Sequence, residues 1–76
     1  MAKHKYVAYV EQDEGGRFIA EVPCVAGCYA QGATVEEAVE NCRDVLEMSL
    51  KAMLERGEQP PVACRFSAVE EIEVEL

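Results

Sequence analysis

Apolar and polar residues alternate along the first third of the chain and then switch to steps of three and four, which separates a sheet from a helix. Over residues 3–11, His4, Tyr6, Ala8 and Val10 fall on one face and Lys5, Val7, Tyr9 and Glu11 on the other, predicting a first strand. Gln12-Asp13-Glu14-Gly15-Gly16 is polar and ends in two flexible residues, as a hairpin loop requires. A second strand is predicted over residues 17–22, with Phe18, Ala20 and Val22 on its more apolar face and Ile19 opposite. Pro23 has a fixed φ and no amide hydrogen, so it stops that strand, and Gly27 and Gly32 are expected to adopt backbone angles closed to other residues. Between them residues 28–31 form a short third strand that completes a meander.

Thr34 and Glu37 have the spacing of a capping box, so a long helix is expected to begin at Val35. Ala38, Val39, Cys42, Val45, Leu46, Leu50, Met53 and Leu54 lay one apolar stripe along about five turns, enough to cover one side of the sheet. Glu36 and Glu37 suit the positive end of the helix dipole and Arg56 the negative end; Gly57 is placed to close the helix, and Glu47 and Lys51 to pair along it. Pro60-Pro61 stiffens the exit, and residues 64–67 lead to a last strand in which Ile72, Val74 and Leu76 alternate with Glu71, Glu73 and Glu75. The fold class read from this pattern is α+β: a three-stranded antiparallel meander, one long helix on one face, then a final strand. Residues 1–76 form a single domain.

A chain of 76 residues has a marginal core, and one helix leaves Val7, Tyr9 and Ile19 uncovered on the far side of the sheet. A homodimer or higher oligomer through this face or through the final strand is therefore expected. Seven basic against fifteen acidic residues give a net charge of −8, which disfavours direct nucleic-acid binding and favours basic protein partners. The sequence has neither a membrane-length apolar run nor a signal-peptide core, so a cytoplasmic location is expected.

Candidate chemistry is sparse. Cys24, Cys28, Cys42 and Cys64 include one C-x3-C pair but no matching second pair, and His4 is the one imidazole, so reduced packing thiols are expected instead of zinc ligands or a nucleophile. Glu11, Asp13 and Glu14 could approach a divalent cation, yet acidic residues in a hairpin loop are ordinarily solvated. No nucleophile elbow, phosphate loop or H-E-x-x-H helix is present. The chain is expected not to be an enzyme and to need no metal or cofactor.

Phe18-Ile19-Ala20-Glu21-Val22-Pro23, then Gly27-Cys28, Gln31-Gly32, Thr34, Glu36-Glu37-Ala38 and the apolar helix, taken in that order, resemble the HicB antitoxins and HicB-like proteins over most of the chain. That family reads as an aromatic-rich strand, V-P-D-L-P-G-C, a polar residue and glycine, and T-x-E-E-A opening a helix, with prolines and a last strand behind. Cys24 stands where the family usually has aspartate and Ala26 where it usually has proline; the turn is expected to survive both, though the first removes a carboxylate. Full-length relatives often carry a C-terminal helix-turn-helix or ribbon-helix-helix domain, and this sequence stops at Leu76.

The resemblance implies a partial RNase H-like β-β-β-α-β fold that has lost the nuclease's metal-binding acids and works by binding. The implied partner is HicA, a small basic toxin with a double-stranded-RNA-binding-like fold that cleaves messenger RNA. The expected function is an antitoxin-like module that neutralises such a toxin by occlusion. An orphan HicB-like oligomer with a regulatory or scaffolding role is the alternative, and a residual magnesium nuclease using Asp13, Glu14 or Glu21 is a third reading. No partner-contact residue is singled out, because Glu11, Asp13, Glu14, Glu71, Glu73 and Glu75 are equivalent in sequence.

Overall fold

The computed structural model describes residues 4–61, 68 and 70–76. Strands β1 (Tyr9–Gln12), β2 (Phe18–Glu21) and β3 (Tyr29–Gly32) form an antiparallel sheet in the order β1-β2-β3, and helix α1 (Val35–Glu55) follows, an α+β arrangement. Tyr9 pairs with Glu21 and Glu21 with Tyr29, while Gln12 pairs with Phe18 and Phe18 with Gly32.

The first strand is shorter than its alternation predicts. Residues 4–8 run past the end of β2, which stops opposite Tyr9 because Pro23 offers no amide to continue the ladder. Both chain reversals are hydrogen-bonded locally. In the hairpin the Gly16 amide donates to the Asp13 carbonyl at 3.1 Å and the Arg17 amide to Asp13 Oδ1 at 2.9 Å. Between β2 and β3 the Val25 amide donates to the Val22 carbonyl at 3.1 Å and the Cys28 amide to the Val25 carbonyl at 3.2 Å. Two consecutive turns thus point Val22, Val25 and Cys28 inward, with Gly27 at φ 76° completing the second.

Gly32 lacks the positive φ expected of it; its constraint is steric. A Cβ at this position would press on the backbone of the first helical turn, 2.8 Å from the Glu37 carbonyl carbon and 2.9 Å from Glu37 Cβ. The missing side chain lets β3 and α1 meet.

Both helix ends form as the sequence indicates. The Glu37 amide donates to Thr34 Oγ1 at 3.0 Å, and Glu37 Oε1 reaches back to accept from the Ala33 amide at 3.1 Å, one residue before the position a capping box specifies. At the other end Gly57 has φ 77°, its amide donates to Leu54 and that of Glu58 to Met53, the two bonds of a Schellman motif. Arg56 turns outward to Glu58 at 3.0 Å, and the expected Glu47–Lys51 ion pair is absent from the described residues.

The core lies between the sheet and the helix stripe. Ala20, Val22, Val25, Cys28, Ala38 and Cys42 are buried, and Tyr6, Val10, Phe18, Val39, Leu46 and Leu50 are among the half-buried residues packed around them. Leu54, the last residue of the predicted stripe, is instead exposed: Met53 takes the core-facing position in that turn, and Leu54 lies about 100° further round the helix. Residues 70–76 make no ladder with this sheet, and Ile72, Val74 and Leu76 are exposed. The final segment has a strand's pattern but no partner within the described residues; Cys64 and the lead-in at 64–67 lie outside them.

Candidate functional site

The helix covers one side of the sheet, so odd-numbered strand residues face away from it. The register places Tyr9, Glu21 and Tyr29 in one row across the three strands and Glu11, Ile19 and Gln31 in the next. These six residues line a shallow depression of about 340 Å³. Tyr29 is 59% exposed and Tyr9 39%, with Glu21 between them in the register, whereas Ile19 in the next row is half-buried. Two aromatic rings and an isoleucine flanked by two carboxylates form an amphipathic surface whose acceptors suit lysine or arginine. Of these residues, Tyr9 and Ile19 were expected on the open side. Tyr29 and Gln31 follow from the same alternation in β3, where Cys28 and Ala30 turn inward.

The candidate metal acids do not converge. Asp13 is occupied within the hairpin by the Arg17 amide, Glu14 is exposed in the same loop, and Glu21 lies at the opposite end of β2, about 10 Å along the strand from Phe18. Among the described residues no three His, Cys, Asp or Glu side chains are grouped to hold a metal ion.

The cysteines take different roles. Cys28 and Cys42 are buried thiols whose sulfurs are 4.0 Å apart, joining the start of β3 to the helix. Burial pushes the Cys42 thiol up to about 11, reinforced by Cys28 beside it and, more weakly, by Glu21. A thiol so protonated packs and does not act as a nucleophile. Cys24 departs from the expectation of reduced thiols: it is disulfide-bonded.

A second concavity, about 790 Å³, runs between α1 and the 4–8 segment that leads into the edge strand β1. Its lining is mostly apolar, with Val22, Val39, Leu46 and Leu50, and its charged members are Lys5, Glu47 and Arg43, the last paired with Glu40 at 3.6 Å. Among the described residues no helix is long and apolar enough to cross a membrane.

Residues 6–75 match the model of the HicB-like antitoxin of bacterial toxin-antitoxin systems. A UPF0150 protein of Synechocystis is 41% identical over 51 residues, covering 67% of this chain and 74% of the relative. One from Helicobacter pylori is 37% identical over 67 residues, covering 88% and 90%, and one from Thermoplasma acidophilum is 30% identical over 57 residues, covering 75% and 83%. The family match extends from Tyr6, beside the core, to Glu75 in the acidic tail, and with relatives covered over most of their length, the chain belongs to the HicB-like antitoxin family.

Proposed function

We propose that this protein neutralises a small basic HicA-type mRNA interferase in the cytoplasm by covering its RNA-binding surface, performing no reaction of its own. The observation that carries the reading is the uncovered sheet face, where Tyr9, Tyr29 and Ile19 offer apolar area beside Glu11 and Glu21. A ribonuclease surface that attracts phosphate would also attract this face, and the chain's net charge of −8 would steer the encounter. Aromatic residues then supply contact area at low entropic cost.

The test is to read the adjacent reading frame for a small basic protein and to co-express this chain with it. The expected result is relief of growth arrest and a co-eluting complex that weakens as salt rises. Tyr29→Ala should cost about 2 kcal/mol of binding, roughly 30-fold, as for an aromatic anchor at the centre of an interface. Absence of a complex at low salt, or a Tyr29→Ala/Glu21→Ala variant that binds as tightly as the parent, would refute the proposal. An orphan oligomer would give the first of these results.

A further inference from the structure

We propose that residues 70–76 of a second copy of this chain occupy the groove beside β1, adding a strand to the sheet and forming a reciprocal, tail-exchanged dimer. Four observations point to that occupant.

The first concerns backbone groups. β1 is an edge strand, and the preceding residues 4–8 have no ladder on either side among the described residues, so a row of amides and carbonyls borders the groove. The other edge is obstructed: Asn41 Nδ2 donates to the Gln31 carbonyl at 2.8 Å, and Gly32 abuts the helix. A new strand therefore has the β1 side to join.

The second is shape and pattern. Seven residues in extended form span about 23 Å, within the roughly 31 Å length of a 21-residue helix. Ile72, Val74 and Leu76 alternate on one face of the tail and would meet Val39, Leu46 and Leu50 on the helix stripe. The opposite face would continue the open side of the sheet and keep Glu71, Glu73 and Glu75 in water.

Charge is the third. In a chain with net charge −8, the groove is bordered by a lysine, Lys5, that makes no ion pair among the described residues, while Arg43 on the helix is paired with Glu40 at 3.6 Å. Lys5 shares the Val7 and Tyr9 side of its segment, the side onto which the tail glutamates would project. A tail with four carboxylates among its seven residues complements that rim better than it complements the acidic remainder.

The fourth decides between a chain's own tail and its neighbour's. After the helix the chain returns to the groove, where Tyr6 Oη donates to the Pro61 carbonyl at 2.7 Å. Residues 72 and 74 of the same chain do not enter it: Ile72 is 84% exposed and Val74 68%, and neither lines the groove. Two such chains related by a two-fold axis can exchange tails and fill both grooves, which closes the assembly.

Sedimentation equilibrium of the full chain across concentrations tests this, alongside an Ile72→Asp/Val74→Asp variant. Both residues are exposed in the single chain, so the variant should keep the parent far-UV circular dichroism while its dimer weakens by about 100-fold or more. In the parent, amides of residues 5–8 and 72–76 should become protected from hydrogen exchange as the dimer forms. Lys5→Glu should also weaken the dimer, and Glu73→Lys in the same chain should restore it. A parent that stays monomeric at tens of micromolar, or a variant that keeps the dimer, would overturn the proposal. So would tail protection in a monomer, which would mean that each chain fills its own groove. The toxin reading stands or falls separately, through Tyr29 and Glu21 on the sheet face.

Discussion

Replacing Gly32 with alanine separates two opposite effects of one methyl group. Because Gly32 does not have positive φ, alanine fits the backbone, and by restricting the unfolded chain it would stabilise the fold by about 0.4–1 kcal/mol if space allowed. Space does not allow it. The added carbon would lie 2.8 Å from the Glu37 carbonyl carbon and 2.9 Å from Glu37 Cβ, where ordinary contact begins at 3.4 Å. The obstructing atoms are backbone and Cβ in the first helical turn, held by Thr34 and the Ala33 amide, so no rotamer change relieves the contact. The Ala38 amide nitrogen lies closer still, so the helix start must move away from β3 by up to about an ångström, loosening the contact around buried Ala38; overpacking costs about 1–3 kcal/mol, and a displacement of backbone against backbone belongs to the upper half of that range. The net expectation is a loss of about 1–2.6 kcal/mol. For a domain of this length, each kcal/mol lowers Tm by roughly 4–8 °C. Urea unfolding monitored by circular dichroism measures it, with Gly15→Ala as the control, since a carbon there meets only Asp13 Oδ1 at 3.4 Å. A Gly32→Ala protein as stable as the parent would refute the close approach of β3 and α1.

Two further expectations rest on other contacts. Thr34→Ala removes the acceptor for the Glu37 amide and should cost about 1 kcal/mol, whereas Thr34→Ser should keep most of it; equal urea midpoints for the two variants would remove the cap from the account. For Cys42, the folded thiol titrates near 11 against an ordinary 9.0, so above pH 9 the unfolded chain loses its proton first. The folded state then binds more protons. Stability from this group is complete below pH 9 and declines as pH rises through about 11, a loss a Cys42→Ala variant should lack. At pH 8 native Cys42 should react with iodoacetamide about 100-fold more slowly than an ordinary exposed thiol. Rapid native alkylation, or identical alkaline unfolding profiles for parent and variant, would contradict this burial.

Local rules made much of the fold legible. The Thr34–Glu37 spacing and Gly57 set the helix ends because capping involves neighbouring residues and needs no distant contact. The alternation of Tyr9, Val10, Phe18, Ile19 and Ala20 sorted side chains between the helix side and the open side, since a strand's period depends on the backbone alone. Val25 was not foreseen in the core: it lies in a seven-residue reversal without periodicity, and two linked turns aim it inward. Of the candidate site, Tyr9 and Ile19 could be placed from the pattern, while Glu11 and Glu21 looked no different from other carboxylates until the register set them beside the tyrosines.

Periodicity, caps and net charge thus establish an acidic α+β domain with half of its sheet uncovered, because each depends on residues close in sequence. Which groups share a surface depends on contacts between distant segments. Register joins Tyr9, Glu21 and Tyr29, and packing against α1 turns Gly32 from a pivot into a point of close approach. The same packing leaves the 4–8 segment bordering an open groove while Ile72 and Val74 remain exposed. Alternation can state that a segment is suited to be a strand; a free edge with matching shape and charge must supply its neighbour.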